Sequence, residues 1–160
     1  MFGLFDKSKI KRIVPAACIF INANISRTEF DKDSLPKFLE YDPYLFGYFR
    51  GIFGMVYLQA YEKQGSDKLM YTGAIELLKM YFPDANKEGV DNLFNDNSTV
   101  EVISNGLKNA VTDYTRGHIG EVRTSLADYL LNDKSLARKV NLFKRQKKMK
   151  KIITKVTKKK

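Results

Sequence analysis

Residues Tyr44 to Tyr61 form a run of eighteen that is apolar nearly all round, broken by one charge, Arg50, and one amide, Gln59. A helix that is apolar on every side must be surrounded, either by the rest of a protein core or by lipid. A membrane span wants about 20 predominantly apolar residues with few or no charges. Arg50 sits mid-segment, and tyrosines and glycines dilute the hydropathy. The expectation is a central core helix, with a transmembrane span as the alternative. Asp42-Pro43 opens it, Asp at the N-cap and Pro at the first helical position, where the missing N–H costs nothing. It should run to about Lys63, with Gly65 as its stop.

The rest of the chain reads as helix too. Ser66 can cap a helix carrying Leu69, Met70, Ala74, Leu77, Leu78 and Tyr81 that ends before Pro83. Asp84 to Phe94 reads as a short helix with Val90, Leu93 and Phe94 as its buried corner. Ser98-Thr99-Val100-Glu101 matches a capping box, and behind it Val100, Ile103, Leu107, Val111, Tyr114, Val122, Leu126 and Tyr129 form one stripe, with a kink near residues 116–120. Lys7, Lys9, Lys11 and Arg12 followed by Ile13–Ala23 loosely resemble a signal peptide, but Pro15 interrupts the apolar run, so a buried helix is expected. Strand signals are nearly absent. The predicted fold is all-α, a compact bundle of five to seven helices. Residues 1–133 form the helical domain and 134–160 a basic amphipathic tail whose proximal part packs on it.

Charge divides the chain the same way. Lys134 to Lys160 hold thirteen Lys or Arg and no acid, while the preceding residues hold fifteen basic against eighteen acidic groups, a net −3. Such a split points to a polyanionic partner. The candidate polyanion-binding residues are Lys144, Arg145, Lys147, Lys148, Lys150, Lys151, Lys155, Lys158, Lys159 and Lys160. Lysine acts as a point charge, so sequence-independent binding to RNA or DNA is the first expectation. Met149, Ile152, Ile153 and Val156 fall at helical spacings, and this strip makes an anionic membrane surface the second expectation and an acidic protein partner the third.

Catalytic machinery is sparse. His118 is the one histidine, three residues before Glu121; neither a nucleophile nor a metal-ligand set pairs with it. Asp31, Asp33, Glu40 and Asp42 lack the spacing of a calcium loop. No phosphate-binding glycine loop is present. No enzymatic activity, cofactor or metal is expected. Gly47, Gly51 and Gly54 share a helix side, for close packing inside the bundle or, alternatively, for a homodimer. Tyr41, Tyr44, Tyr48, Tyr57 and Tyr61 could stack on bases or pack in the core. The single cysteine, Cys18, fits a reducing, cytoplasmic setting.

Residues 1–5, Met-Phe-Gly-Leu-Phe, and Pro15 to Phe30 with Asn22-Ala23-Asn24-Ile25-Ser26 before Glu29-Phe30, resemble the opening of tellurite-resistance TerB-like helical domains over about thirty residues. Asn24-Ile25 stand where that family has an acidic Asp-Gly turn, and no second copy follows, so no site residue is carried over.

Overall fold

A computed structural model of the chain describes residues 3–28, 30, 33, 35–117 and 124–132. Among these the protein is all-helical, with no strand. It comprises α1 (Leu4–Ile25), a 3₁₀ turn (Lys37–Leu39), α2 (Pro43–Tyr61), α3 (Asp67–Lys79), α4 (Lys87–Asp91), a second 3₁₀ turn (Asn92–Asn95), α5 (Asn97–Thr115) and α6 (Ser125–Asn132). Contacts group the chain into two units, Met1–Ala127 and Asp128–Lys160, and of the second only residues 128–132 are described. The tail residues from Lys144 onward lie outside the described set, as do His118, Glu121 and Asp31.

The first unit is built around α2. Leu45, Phe46, Tyr48, Phe49, Ile52 and Phe53 are fully buried, while Arg50, Gly54 and Met55 are half-buried and Leu58, Gln59 and Ala60 at its end are exposed, so α2 is central without being enclosed on every side. α5 is its most extensive neighbour, followed by α3 and α1. α1 brings Ile13, Ala17, Ile21 and Ile25, and α3 brings Leu69, Ala74, Leu77 and Leu78. Each isoleucine or leucine among them, removed from water, contributes roughly 1.5–3 kcal/mol. α1 continues through Pro15, which lies on the solvent side beside the exposed Lys11. The carbonyl that loses its helical N–H partner there can be hydrated.

Two helix starts follow the expected capping. The Asp42 carboxylate accepts from the Leu45 N–H at 2.9 Å, and the Ser66 hydroxyl from the Leu69 N–H at 3.2 Å. Four expectations need correction. α2 stops at Tyr61, because Glu62 takes the left-handed conformation (φ 53°) that had been expected of glycine downstream, and its N–H bonds the Leu58 carbonyl at 2.8 Å. α4 starts at Lys87, where Asn86 caps the Gly89 N–H at 2.9 Å, and of its expected corner only Val90 is buried; Phe94 is exposed. α5 is capped by Asp96 rather than Ser98: its carboxylate accepts both the Ser98 N–H (2.9 Å) and the Ser98 hydroxyl (2.8 Å), so the helix begins before the capping box. The long stripe is not one helix. α5 ends at Thr115, and Gly117 follows with φ 62°.

The buried side of α5 is Ile103, Gly106, Ala110 and Asp113, while Val100 is exposed and Leu107, Val111 and Tyr114 are half-buried. The helix therefore presents its small residues to α2. A Cβ at Gly47 would stand 2.0 Å from the Ile103 carbonyl oxygen, and one at Gly106 would stand 2.2 Å from the Tyr44 carbonyl oxygen. A Cβ at Gly51 would stand 2.6 Å from the Ala110 β-carbon and 2.8 Å from the Leu107 carbonyl oxygen. The face that Gly47 and Gly51 form is thus occupied by α5 of the same chain, and is no open surface for a second copy.

Candidate functional site

Three arrangements in the first unit place polar chemistry where it can act. The innermost is a buried network centred on Asp113, whose residue is 4% exposed. Its Oδ2 accepts from the Tyr48 hydroxyl at 2.8 Å and the Ser125 N–H at 2.9 Å, and its Oδ1 accepts from the Ser125 hydroxyl at 3.0 Å. The Asn24 amide donates to the Tyr48 oxygen at 3.4 Å, while its own Oδ1 has no partner among the described residues. Burial, reinforced by the Asp113 carboxylate, pushes the Tyr48 phenol far above its usual range. A phenol held so firmly protonated is a permanent donor. The network ties α1, α2 and α5 to the start of α6.

The second arrangement is the outer face of α1. Lys7, Lys11 and Arg12 are exposed on its first three turns. Lys9 lies over the rings of Tyr61 and Tyr57, 5.6 and 6.0 Å from their centroids. Lys7 and Lys11 line a hollow with Thr72 and Glu76 of α3. Further along, the solvent face turns apolar, with Ile19 at 72% exposure.

The third is a cleft of about 230 Å³ where α3 and α5 flank α2. Gly51 and Gly54 form its floor, Met70 and Val111 belong to its walls, and Arg50 and Asp67 line it as well. Arg50 and Asp67 also line a neighbouring hollow with Lys68, Tyr71, Asp91 and Phe94, so the guanidinium stands where the two meet. Burial raises the Tyr71 phenol, helped by its hydrogen bond to Asp91, while Arg50 acts in the opposite direction. Lys87 also bonds Asp91 and holds that carboxyl below its ordinary range, as does the Tyr71 hydrogen bond.

The tyrosines expected either to stack on bases or to pack take the second role in three cases. Tyr44, Tyr48 and Tyr57 are buried, and Tyr44 accepts a hydrogen bond from Asn109 at 2.9 Å. Tyr41 and Tyr61 are half-buried, and the Tyr41 oxygen accepts from the Asn86 N–H at 3.3 Å. Of the acidic run, Glu40 is buried and Asp42 is spent on its cap. Among the described residues no cluster of three or more His, Cys, Asp or Glu is placed to hold a metal ion, and no helix is long and apolar enough to cross a membrane. Sequence reasoning missed Asp113 as a buried hub, and treated Arg50 only as an interruption of an apolar helix. The available signal was that interruption itself: one cation among buried aromatics needs a reason.

Comparison with protein-family models, curated proteins and solved structures finds no match, for the TerB-like opening as for the rest of the chain.

Proposed function

We propose that this chain is a non-enzymatic binding protein whose lysine-rich segment, Lys144 to Lys160, engages nucleic acid through its phosphates with little regard to base sequence. One observation carries the proposal: residues 134–160 hold thirteen basic groups and no acid, beside a body of net charge −3. A polyanion recruits such a segment by releasing its counterions. The exposed Lys7, Lys11 and Arg12 on α1 add a second basic surface that a long polyanion could reach. A cytoplasmic setting belongs to the same proposal, supported by Cys18 being the single cysteine, free and half-buried.

The second reading, a peripheral contact with anionic membrane, is favoured by the strip Met149, Ile152, Ile153 and Val156. An acidic protein that takes the tail as a helix is the third. One titration separates them. RNA, DNA and anionic liposomes are each presented at two salt concentrations to the full chain, to a chain ending after Phe143, and to a chain with that strip replaced by Gln. For nucleic acid, affinity should fall with a log–log salt slope of about 0.7–0.9 per phosphate neutralised. Binding should vanish with the tail and survive loss of the strip. Liposome binding that collapses with the strip favours the membrane. Binding to none of the three sinks both readings and leaves the protein partner.

A further inference from the structure

We infer that the cleft beside Arg50 is a binding site for a small amphipathic carboxylate, with the acid group on the Arg50 guanidinium and an alkyl or aryl tail along Gly54 and Met70. The residues that line it all belong to the first unit.

The cation comes first. Arg50 is the lone charge of α2, and its side chain is 24% exposed. Among the described residues its ionic neighbour is Asp67, with Nη2 and Oδ1 3.6 Å apart, beyond hydrogen-bonding distance. The Asp67 side chain is fully exposed, and an ion pair with a hydrated, rotating carboxylate contributes little. A guanidinium offers five N–H donors in a planar fork that suits a carboxylate bidentately. Here the Arg50 side chain is mostly out of water and lines the cleft. Asp67 can swing into solvent when a ligand acid replaces it.

Next comes the space. Gly47 and Gly51 have a packing reason, since a Cβ at either would collide with α5. Gly54 has none: its added Cβ would meet only the Met70 sulfur, at 3.6 Å, an ordinary contact. Alanine there would favour the helix. Glycine at this position leaves the floor of the cleft open. Apolar cavities of roughly 150 Å³ hold a benzene ring, so about 230 Å³ accepts a tail somewhat larger. The walls are Met55, Leu58, Met70, Leu107 and Val111, and methionine adapts its shape to a guest.

With Asp67 displaced, the single Arg50 guanidinium matches one carboxylate rather than a chain of phosphates.

The test uses the full-length chain, with octanoate as probe and octanol and acetate as its two halves. Octanoate should bind saturably, with a dissociation constant between roughly 10 µM and 1 mM. Octanol and acetate should each bind at least about tenfold more weakly. In methyl NMR the Met55 and Met70 signals should move on titration while Met80, 60% exposed at the end of α3, stays still. Arg50→Gln should weaken octanoate about tenfold or more and leave octanol unchanged. Gly54→Leu should fill the cleft and abolish both. Should Arg50→Gln not fold, the octanoate–octanol comparison on the natural chain decides alone. Octanol binding as tightly as octanoate, Met80 moving in place of Met55 and Met70, or no saturable octanoate binding at millimolar concentration would each overturn the assignment.

Discussion

Replacing Gly106 with alanine tests the packing argument at its narrowest point. In an unobstructed helix the change should stabilise the protein by about 1 kcal/mol, because glycine is the poorer helix former. Here the new Cβ would lie 2.2 Å from the Tyr44 carbonyl oxygen and 3.0 Å from the Tyr48 nitrogen. Both are backbone atoms in the first two turns of α2 and neither can rotate away, so α5 must retreat from α2 by about 1 Å to restore a real contact. Overpacking of this kind costs typically 1–3 kcal/mol, and loosening the largest helix pair places it at the top of that range. The expected net loss is about 2 kcal/mol for Gly106→Ala and the same for Gly47→Ala, whose Cβ would be 2.0 Å from the Ile103 oxygen. With a urea m-value near 2 kcal/mol/M, each midpoint falls by about 1 M. One retreat of α5 relieves both clashes, so the double variant should lose clearly less than the sum. Gly54→Ala is the control, because its Cβ meets only Met70 at 3.6 Å; it should be neutral or stabilise by up to about 1 kcal/mol. The measurement is urea unfolding followed by far-UV circular dichroism. Stabilisation by Gly47→Ala and Gly106→Ala equal to that by Gly54→Ala would refute the close approach of α2 and α5.

Asp113→Ala leaves the Tyr48 hydroxyl and the Ser125 N–H without an acceptor, and should cost about 3–4 kcal/mol by urea unfolding. Tyr48→Phe leaves the Ser125 bonds in place and should cost about half as much. Glu62→Gly removes a β-carbon from a left-handed residue and should raise stability by about 1 kcal/mol, read as a higher melting temperature. Burial raises the Cys18 thiol above its ordinary pKa, so at pH 8 less of it is thiolate than in a free cysteine. Its alkylation by iodoacetamide should be correspondingly slower, and a rate equal to that of a model peptide would contradict its burial.

The parts of this fold that sequence alone reveals are those decided within one turn. Asp42 and Ser66 cap their helices because the acceptor and the N–H it reaches lie three residues apart. The run Asp96-Asn97-Ser98-Thr99 offers four such acceptors in a row, and local rules pick the wrong one. Asp96 prevails because its two oxygens also hold the Ser98 hydroxyl. The stripe on α5 misleads for another reason. Counting large apolar side chains places Val100, Leu107 and Val111 inward, but the helix is seated by backbone contact at Gly106 and Gly47. That contact turns the small residues toward α2. Neither Asp113 nor the cleft is legible at all, because each depends on residues from helices far apart in the chain. Arg50 was visible as an anomaly, yet only the positions of Asp67 and Gly54 give it a site.

The Asp113 network bears on how singular this bundle is. Aromatic and aliphatic cores tolerate many arrangements of nearly equal energy, since hydrophobic contact has little direction. Directional bonds among Asn24, Tyr48, Asp113 and Ser125 can be made in one alignment only. A slip of α5 by one turn along α2 would leave a buried carboxylate facing hydrocarbon. An all-hydrocarbon version of these positions would be free to slide, and could be the more stable protein while being the less defined one. The carboxylate thus acts as a key that fixes the register of the helices.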